Sequence, residues 1–165
     1  MRRIRRAEYA QQEVLLAKPQ HDDRYHPIEV VSHDAQRRTS VVVANSQELL
    51  AHAKPVQVVA IDEAQFFDDG LVHVANQLAN EGKRVILAGL DMDFQGRPFG
   101  PMPQLLAVAE FVTKLHAICL RTGGMAHYSA RITPETHILV TGGKERYEPL
   151  SRRAFMKHLD ETANQ

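Results

Sequence analysis

The sequence has no tryptophan, only one cysteine and no net charge, with Lys+Arg and Asp+Glu each numbering 20. Each shortage excludes something. Cys119 has no second cysteine to pair with, so a disulfide-stapled secreted scaffold is ruled out and cytoplasmic residence is expected. Balanced charge provides no global field to draw a polyanion, which argues against nucleic acid as a partner. No apolar run reaches the roughly 18 residues of a spanning helix, and the N-terminus lacks an apolar signal core, so no membrane partner is expected. The phosphate-binding pattern G-x-x-x-x-G-K-[ST] occurs nowhere in the chain. Internal repeats and low-complexity tracts are missing too.

What is there is an ordinary globular composition, 44% hydrophobic and 24% charged over 165 residues. A chain of that length buries about two-thirds of the surface its unfolded form exposes. Residues 1–12, without glycine or proline, read as a helix, and Glu13–Pro19 as a short buried strand. A polar stretch over 21–38 carries at most a short strand near Ile28–Val31. A strand over Thr39–Ala44 follows, then a helix over Gln47–His52 that Ser46 could cap.

Val56–Ile61 is a β-branched strand ending in Asp62 and Glu63. Asp68 or Asp69 opens the clearest helix, with Leu71, Val74, Ala75 and Leu78 at i, i+3, i+4 and i+7 and Gly82 just past its end. Arg84–Leu90 reads as a strand apolar on both faces. A Pro/Gly loop over Gly96–Pro103 leads to a helix over Gln104–Glu110, then strands over Val112–Ile118 and His137–Thr141. Strands alternating with helices predict an α/β fold with a mostly parallel sheet flanked by helices.

Ligands of open parallel sheets bind beyond the carboxyl ends of the strands. Two carboxylates directly after an apolar strand therefore suit phosphoryl transfer, one oriented toward magnesium and the other moving a proton. The ordinary alternative is that Asp62 and Glu63 only begin a turn. A helicase acidic motif also looks like Asp62-Glu-Ala-Gln65, but it would need a second motor domain and a basic track.

Longer stretches sharpen the reading. Ile61-Asp-Glu-Ala-Gln-Phe-Phe67, Leu87-Ala-Gly-Leu-Asp-Met-Asp-Phe94 through Pro103, Ala109–Cys119 and Gly142-Gly-Lys-Glu-Arg-Tyr147 resemble, in order, the type II (cellular and bacterial) thymidine kinases. So do Asp22-Asp-Arg-Tyr25 and Ser32-His-Asp34. The resemblance implies a P-loop, RecA-like core over 1–118 with a small C-terminal lasso region over 119–165. It implies transfer of the γ-phosphoryl of ATP, with Mg²⁺, to the 5′-hydroxyl of thymidine, in a homotetramer. By similarity Glu63 is the general base and Asp62 lies on the magnesium–ATP side. Leu90, Phe94 and Phe99 wall the thymine pocket, although ordinary core packing would also explain Leu90. Ile138, Val140 and Gly142 belong to the lasso, whose backbone meets the thymine edge, and Tyr147 packs on the nucleoside. Ser129 and Arg131 fall at positions lining the same site, the commonplace alternative for Arg131 being an exposed arginine.

The sequence departs from the family twice. The phosphate loop is absent, and Arg2-Arg-Ile-Arg-Arg-Ala-Glu-Tyr9 resembles the helix that leaves it. Four arginines at the positive end of a helix dipole are better placed inside a longer helix. A shortened chain is thus the leading explanation; an inactive nucleoside-binding form without ATP binding, or an arginine-rich arm, are the alternatives. Second, many relatives hold zinc with two C-x-x-C-like pairs, which here read Cys119-x-x-Thr122 and Ser151-x-x-Ala154. One ligand of four predicts no zinc.

Overall fold

The computed structural model describes residues 2–20, 29–31, 37–133 and 146–163. Two compact units emerge, Met1–Asp91 with Gly100–Ala109, and Met92–Phe99 with Glu110–Gln165.

The first unit begins with α1 (Arg2–Tyr9) and β1 (Val14–Pro19), followed by a small antiparallel pair, β2 (Glu29–Val31) and β3 (Arg37–Thr39). Next come β4 (Val41–Val43), α2 (Ser46–Ala53), β5 (Val58–Ile61), α3 (Gly70–Asn80), β6 (Arg84–Leu87) and α4 (Met102–Val108). Four strands form a parallel sheet in the order β4-β1-β5-β6, as the alternating pattern predicts.

Register explains how the sheet is covered. Leu15 is level with Val59 and Leu16 with Ala60, while Val59 and Ala60 are level with Val85 and Ile86. Side chains alternate along a strand, so each level belongs to one face. Leu15, Ala17, Val59 and Ile61 pack with Leu49 of α2, Leu71, Val74 and Leu78 of α3 and Leu105 of α4. The opposite face carries Leu16, Ala60 and Ile86, covered by Ile4 of α1. The arginines of α1 point away, leaving Ile4 and Ala7 as its buried residues. Each large apolar side chain of the main core contributes about 1.5–3 kcal/mol relative to an exposed one.

Several boundaries differ from the sequence reading. Asn45, not Ser46, caps α2, its side chain accepting from Glu48 N at 2.9 Å. Ser46 is buried and bonds elsewhere. The strand expected over Thr39–Ala44 divides at Ser40 into β3 and β4, and α4 starts earlier than expected, at Met102. β6 stops at Leu87 and lies at the edge of the sheet with its apolar residues only half-buried. A strand needs a ladder, and its neighbour β5 turns away at Asp62. The expected strand over Val112–Ile118 shrinks to β7 (Ala117–Ile118), which pairs with β8 (Met125–Ala126). Among the described strands nothing pairs with the preceding residues, and Phe111 and Leu115 are exposed. Apolarity alone could not reveal that. The expected strand over His137–Thr141 lies outside the described residues.

Asp68 joins two helix starts. Its carboxylate accepts from Ser46 N at 2.8 Å, Ser46 Oγ at 2.7 Å and Gly70 N at 2.9 Å. Burial raises its pKa, but these hydrogen bonds outweigh burial and bring it below the usual 3.8. A carboxyl depressed on folding stabilises the fold above its unfolded value, and that contribution fades as pH falls through the folded value. Asp68→Ala is therefore expected to lower stability by about 1–2 kcal/mol at neutral pH. The deficit, read from urea unfolding, should shrink below pH 3.8.

The second unit adds β9 (Tyr128–Arg131), β10 (Tyr147–Leu150) and α5 (Arg152–Ala163). β9 and β10 pair antiparallel, and their buried residues Tyr128, Ala130 and Leu150 pack with Cys119, Ala126, Ala154 and Phe155. Among the described residues no helix is long and apolar enough to cross a membrane.

Candidate active site

The first unit places Asp62 and Glu63 immediately beyond the carboxyl end of β5, both half-buried. Asp62 N donates to Ala17 O at 2.9 Å, extending the ladder to β1 by one bond. Asp62 Oδ1 then accepts from Glu63 N at 3.1 Å. Glu63 adopts a left-handed backbone, φ 52° and ψ 41°. That conformation costs of order 1 kcal/mol for a residue with a Cβ, and such strain clusters at functional sites.

A buried neighbour fixes the Glu63 side chain. Gln65 is 2% exposed, and its Nε2 donates to Glu63 Oε2 at 2.6 Å while its Oε1 accepts from Leu90 N at 3.0 Å. The amide thus ties the Glu63 carboxylate to the chain leaving β6. Two glycines make room for it. A Cβ on Gly89 would lie 2.6 Å from Gln65 Oε1, and one on Gly100, at φ 48°, would lie 2.2 Å from Gln65 O. Leu90, in the same unit, is half-exposed at 50%, so the core-packing alternative for it does not hold.

The second unit brings Phe94, Arg131 and Tyr147 together. Arg131 and Tyr147 face each other across the β9–β10 pair, and Arg131 Nη2 donates to Tyr147 Oη at 2.8 Å. The guanidinium also lies 3.8 Å from the Phe94 ring centroid and 5.4 Å from that of Tyr147. Arg131 is only 5% exposed, which overturns the surface-arginine alternative. Ser129, half-buried, is two residues away on the same face of β9. Phe99 is half-buried in the same unit. Ile138, Val140 and Gly142 lie outside the described residues.

Phe94 sits in a tight loop whose anchor the sequence reading missed. Buried Asp93 accepts from Gln95 N and Arg97 N, each at 2.9 Å, and Met92 bridges to Pro98. Gly96 turns the loop at φ 74°, where a Cβ would meet the stacked rings of Phe155 and Tyr128 at 3.0 and 3.2 Å. The Asp-x-x-Gly spacing was a usable turn signal. Gln65 offered none, because nothing in a polar residue after a strand announces its burial.

Cys119, Thr122, Ser151 and Ala154, the positions that the family resemblance matches to zinc pairs, also converge. Thr122 Oγ1 and Ser151 Oγ are 2.9 Å apart, and Cys119 and Ala154 share a core cluster. The Cys119 thiol is pulled down from 9.0 to about 6 by hydrogen bonding with Thr122, opposed by burial and aided by Ser151. One thiol, two hydroxyls and a methyl do not make a tetrahedral zinc set. Among the described residues no group of three or more His, Cys, Asp or Glu side chains could hold a metal ion.

Paired carboxylates at the carboxyl end of a parallel strand in an α/β chain are an arrangement that suits phosphoryl transfer. A family model described as thymidine kinase matches residues 1–155. The chain is 53% identical over 155 residues to a thymidine kinase of a Rhodothermus species, covering 94% of this chain and 73% of that one. It is 48% identical over 157 residues to a thymidine kinase of Bacteroides thetaiotaomicron, with 95% and 79% covered. For a thymidine kinase of Porphyromonas gingivalis the identity is 50% over 157 residues, with 95% and 77% covered. The chain belongs to the thymidine kinase family. It is a phosphotransferase, and membership implies thymidine and ATP as its substrates.

Proposed function

We propose that Glu63 is the general base that accepts the proton of the thymidine 5′-hydroxyl during transfer of the γ-phosphoryl from ATP. The observation that carries this reading is the strained, amide-tethered Glu63 at the carboxyl end of β5. A base must be aimed before it is basic enough to matter. Gln65 holds Oε2, which sets the plane of the carboxylate, and the left-handed backbone turns Glu63 out of the strand direction.

Asp62 is the residue that would face magnesium on the ATP side. A half-buried carboxylate at a strand end suits an ion that keeps most of its waters and takes one or two carboxylates plus phosphate oxygens. Bound there, the ion would neutralise charge on the transferring phosphoryl. In the second unit, Phe94, Phe99 and Tyr147 supply apolar and aromatic surface for the thymine base, with Ser129 and Arg131 as polar groups. The family resemblance assigns the same role to Leu90 of the first unit, and to Ile138, Val140 and Gly142, which lie outside the described residues. A homotetramer in the cytoplasm is what the family resemblance implies.

The test runs two measurements on the chain in parallel: calorimetric titration with thymidine, and transfer of labelled γ-phosphate from ATP to thymidine. Thymidine binding is expected, and transfer is expected only where a phosphate loop is supplied, because the pattern G-x-x-x-x-G-K-[ST] does not occur in this chain. Binding without transfer would leave the nucleoside residues standing and make this an acceptor-binding form. Loss of thymidine binding would sink the pocket assignment.

A further inference from the structure

In the second unit two tight turns come face to face. The first joins β7 to β8, where Cys119 N donates to Gly124 O at 2.8 Å and Gly123 N to Cys119 O at 2.8 Å, with Gly123 at φ 69°. The second opens α5, where Ser151 Oγ accepts from Ala154 N at 3.4 Å and Ser151 O from Phe155 N at 2.9 Å. Cys119 and Thr122 come from one turn, Ser151 and Ala154 from the other. These four positions match the zinc-binding pairs of the resembling family.

We propose that a metal-free clasp occupies this place: the hydrogen bond from Thr122 Oγ1 to Ser151 Oγ, beside the packed Cys119 and Ala154 side chains, ties the β7–β8 hairpin to the corner between β10 and α5. Three observations support it. First, the spacing is wrong for an ion. Tetrahedral ligands about 2.0–2.3 Å from zinc stand roughly 3.3–3.8 Å from one another. Thr122 Oγ1 and Ser151 Oγ, at 2.9 Å, are instead in direct hydrogen-bond contact. Second, the place is shut off from solvent and apolar, since Cys119 is fully buried, Ala154 is 6% exposed, and both share a cluster with Leu150. Third, a bidentate ion pair spans the same two pieces. Arg121 Nε donates to both Glu148 oxygens at 2.9 and 3.0 Å, and Arg121 Nη2 makes a further short contact to Oε2. Glu148 is drawn below its usual 4.5 by that hydrogen bonding, against burial. A bidentate arginine–carboxylate pair fixes relative orientation as well as distance, which is what a cross-link must do.

Such a clasp is indifferent to chelators and can be rebuilt into the metal site it replaces. The purified full chain should contain well under one zinc per chain by elemental analysis, and its Tm should not move with excess chelator. Ser151→Ala, which removes both the hydroxyl bridge and the α5 cap, should lower Tm by about 2–4 °C. The combined Thr122→Cys, Ser151→Cys, Ala154→Cys variant should bind one zinc and melt higher with it than without. One equivalent of zinc in the parent chain, lost on Cys119→Ser, would overturn the proposal. So would a folded triple variant that takes up no zinc, or a Ser151→Ala variant with unchanged Tm. Should the triple variant fail to fold, the metal content of the parent and the Ser151→Ala melt decide between them.

Discussion

In a chain supplied with a phosphate loop, Glu63→Gln is expected to lower kcat for thymidine phosphorylation by about 10²–10⁴, the usual contribution of a positioned general base. The substitution is nearly isosteric, so thymidine affinity should stay close to that of the parent. Glutamine can still meet the Gln65 amide, whose Nε2 lies 2.6 Å from Glu63 Oε2, so the local geometry should survive. That separates chemistry from folding. Unchanged kcat in a natively folded Glu63→Gln protein would show that the proton leaves by another route. A fall in thymidine affinity as large as the fall in kcat would make Glu63 a binding residue instead.

The second large effect is expected at Arg131. Its guanidinium is buried against Phe94 and bonded to Tyr147 Oη. A hydrogen bond involving a charged group contributes about 1.5–3 kcal/mol, and a desolvated cation over an aromatic face about 2 kcal/mol. Arg131→Met keeps much of the apolar stem and removes both interactions. The two aromatic side chains would lose their common anchor, and thymidine Kd should rise by roughly 10–100-fold, corresponding to ~1.4–2.8 kcal/mol. Arg131→Lys should recover only part of this, because lysine keeps the charge without the plane or the fork. Tyr147→Phe tests the hydrogen bond separately from the stacking. Titration of natively folded Arg131→Met with thymidine gives the answer, and an unchanged Kd would reduce Arg131 to a residue of the unit's packing.

Much of the first unit is legible because its signals are local and periodic. Leu71, Val74, Ala75 and Leu78 announce one buried helix face, and the apolar run ahead of Asp62 announces a strand that ends abruptly. Both follow from the geometry of a single element. The errors occur where the outcome depends on a distant residue. Ser46 looks like a helix cap because serine usually is one, yet its hydroxyl and N–H are taken by the Asp68 carboxylate and Asn45 takes the cap. Val112-Thr-Lys-Leu115 looks like a strand because it lacks glycine and proline and carries β-branched residues, but a strand exists only beside another. At the site, Glu63 is visible through its position after the strand, whereas Gln65, Gly89 and Gly100 are visible only once the chain has folded around them. Arg131 shows the limit most plainly: the same residue type serves on a surface or under two aromatic rings, and only packing distinguishes them.

The left-handed backbone at Glu63 sets two kinds of selection against each other. Glycine adopts φ near 52° without steric cost, and asparagine tolerates it better than glutamate does. A library sorted only for heat resistance would therefore drift away from glutamate at this position. A library sorted for growth on exogenous thymidine would hold it. Comparing the two pools at one codon would reveal how far the scaffold has been bent to serve its chemistry.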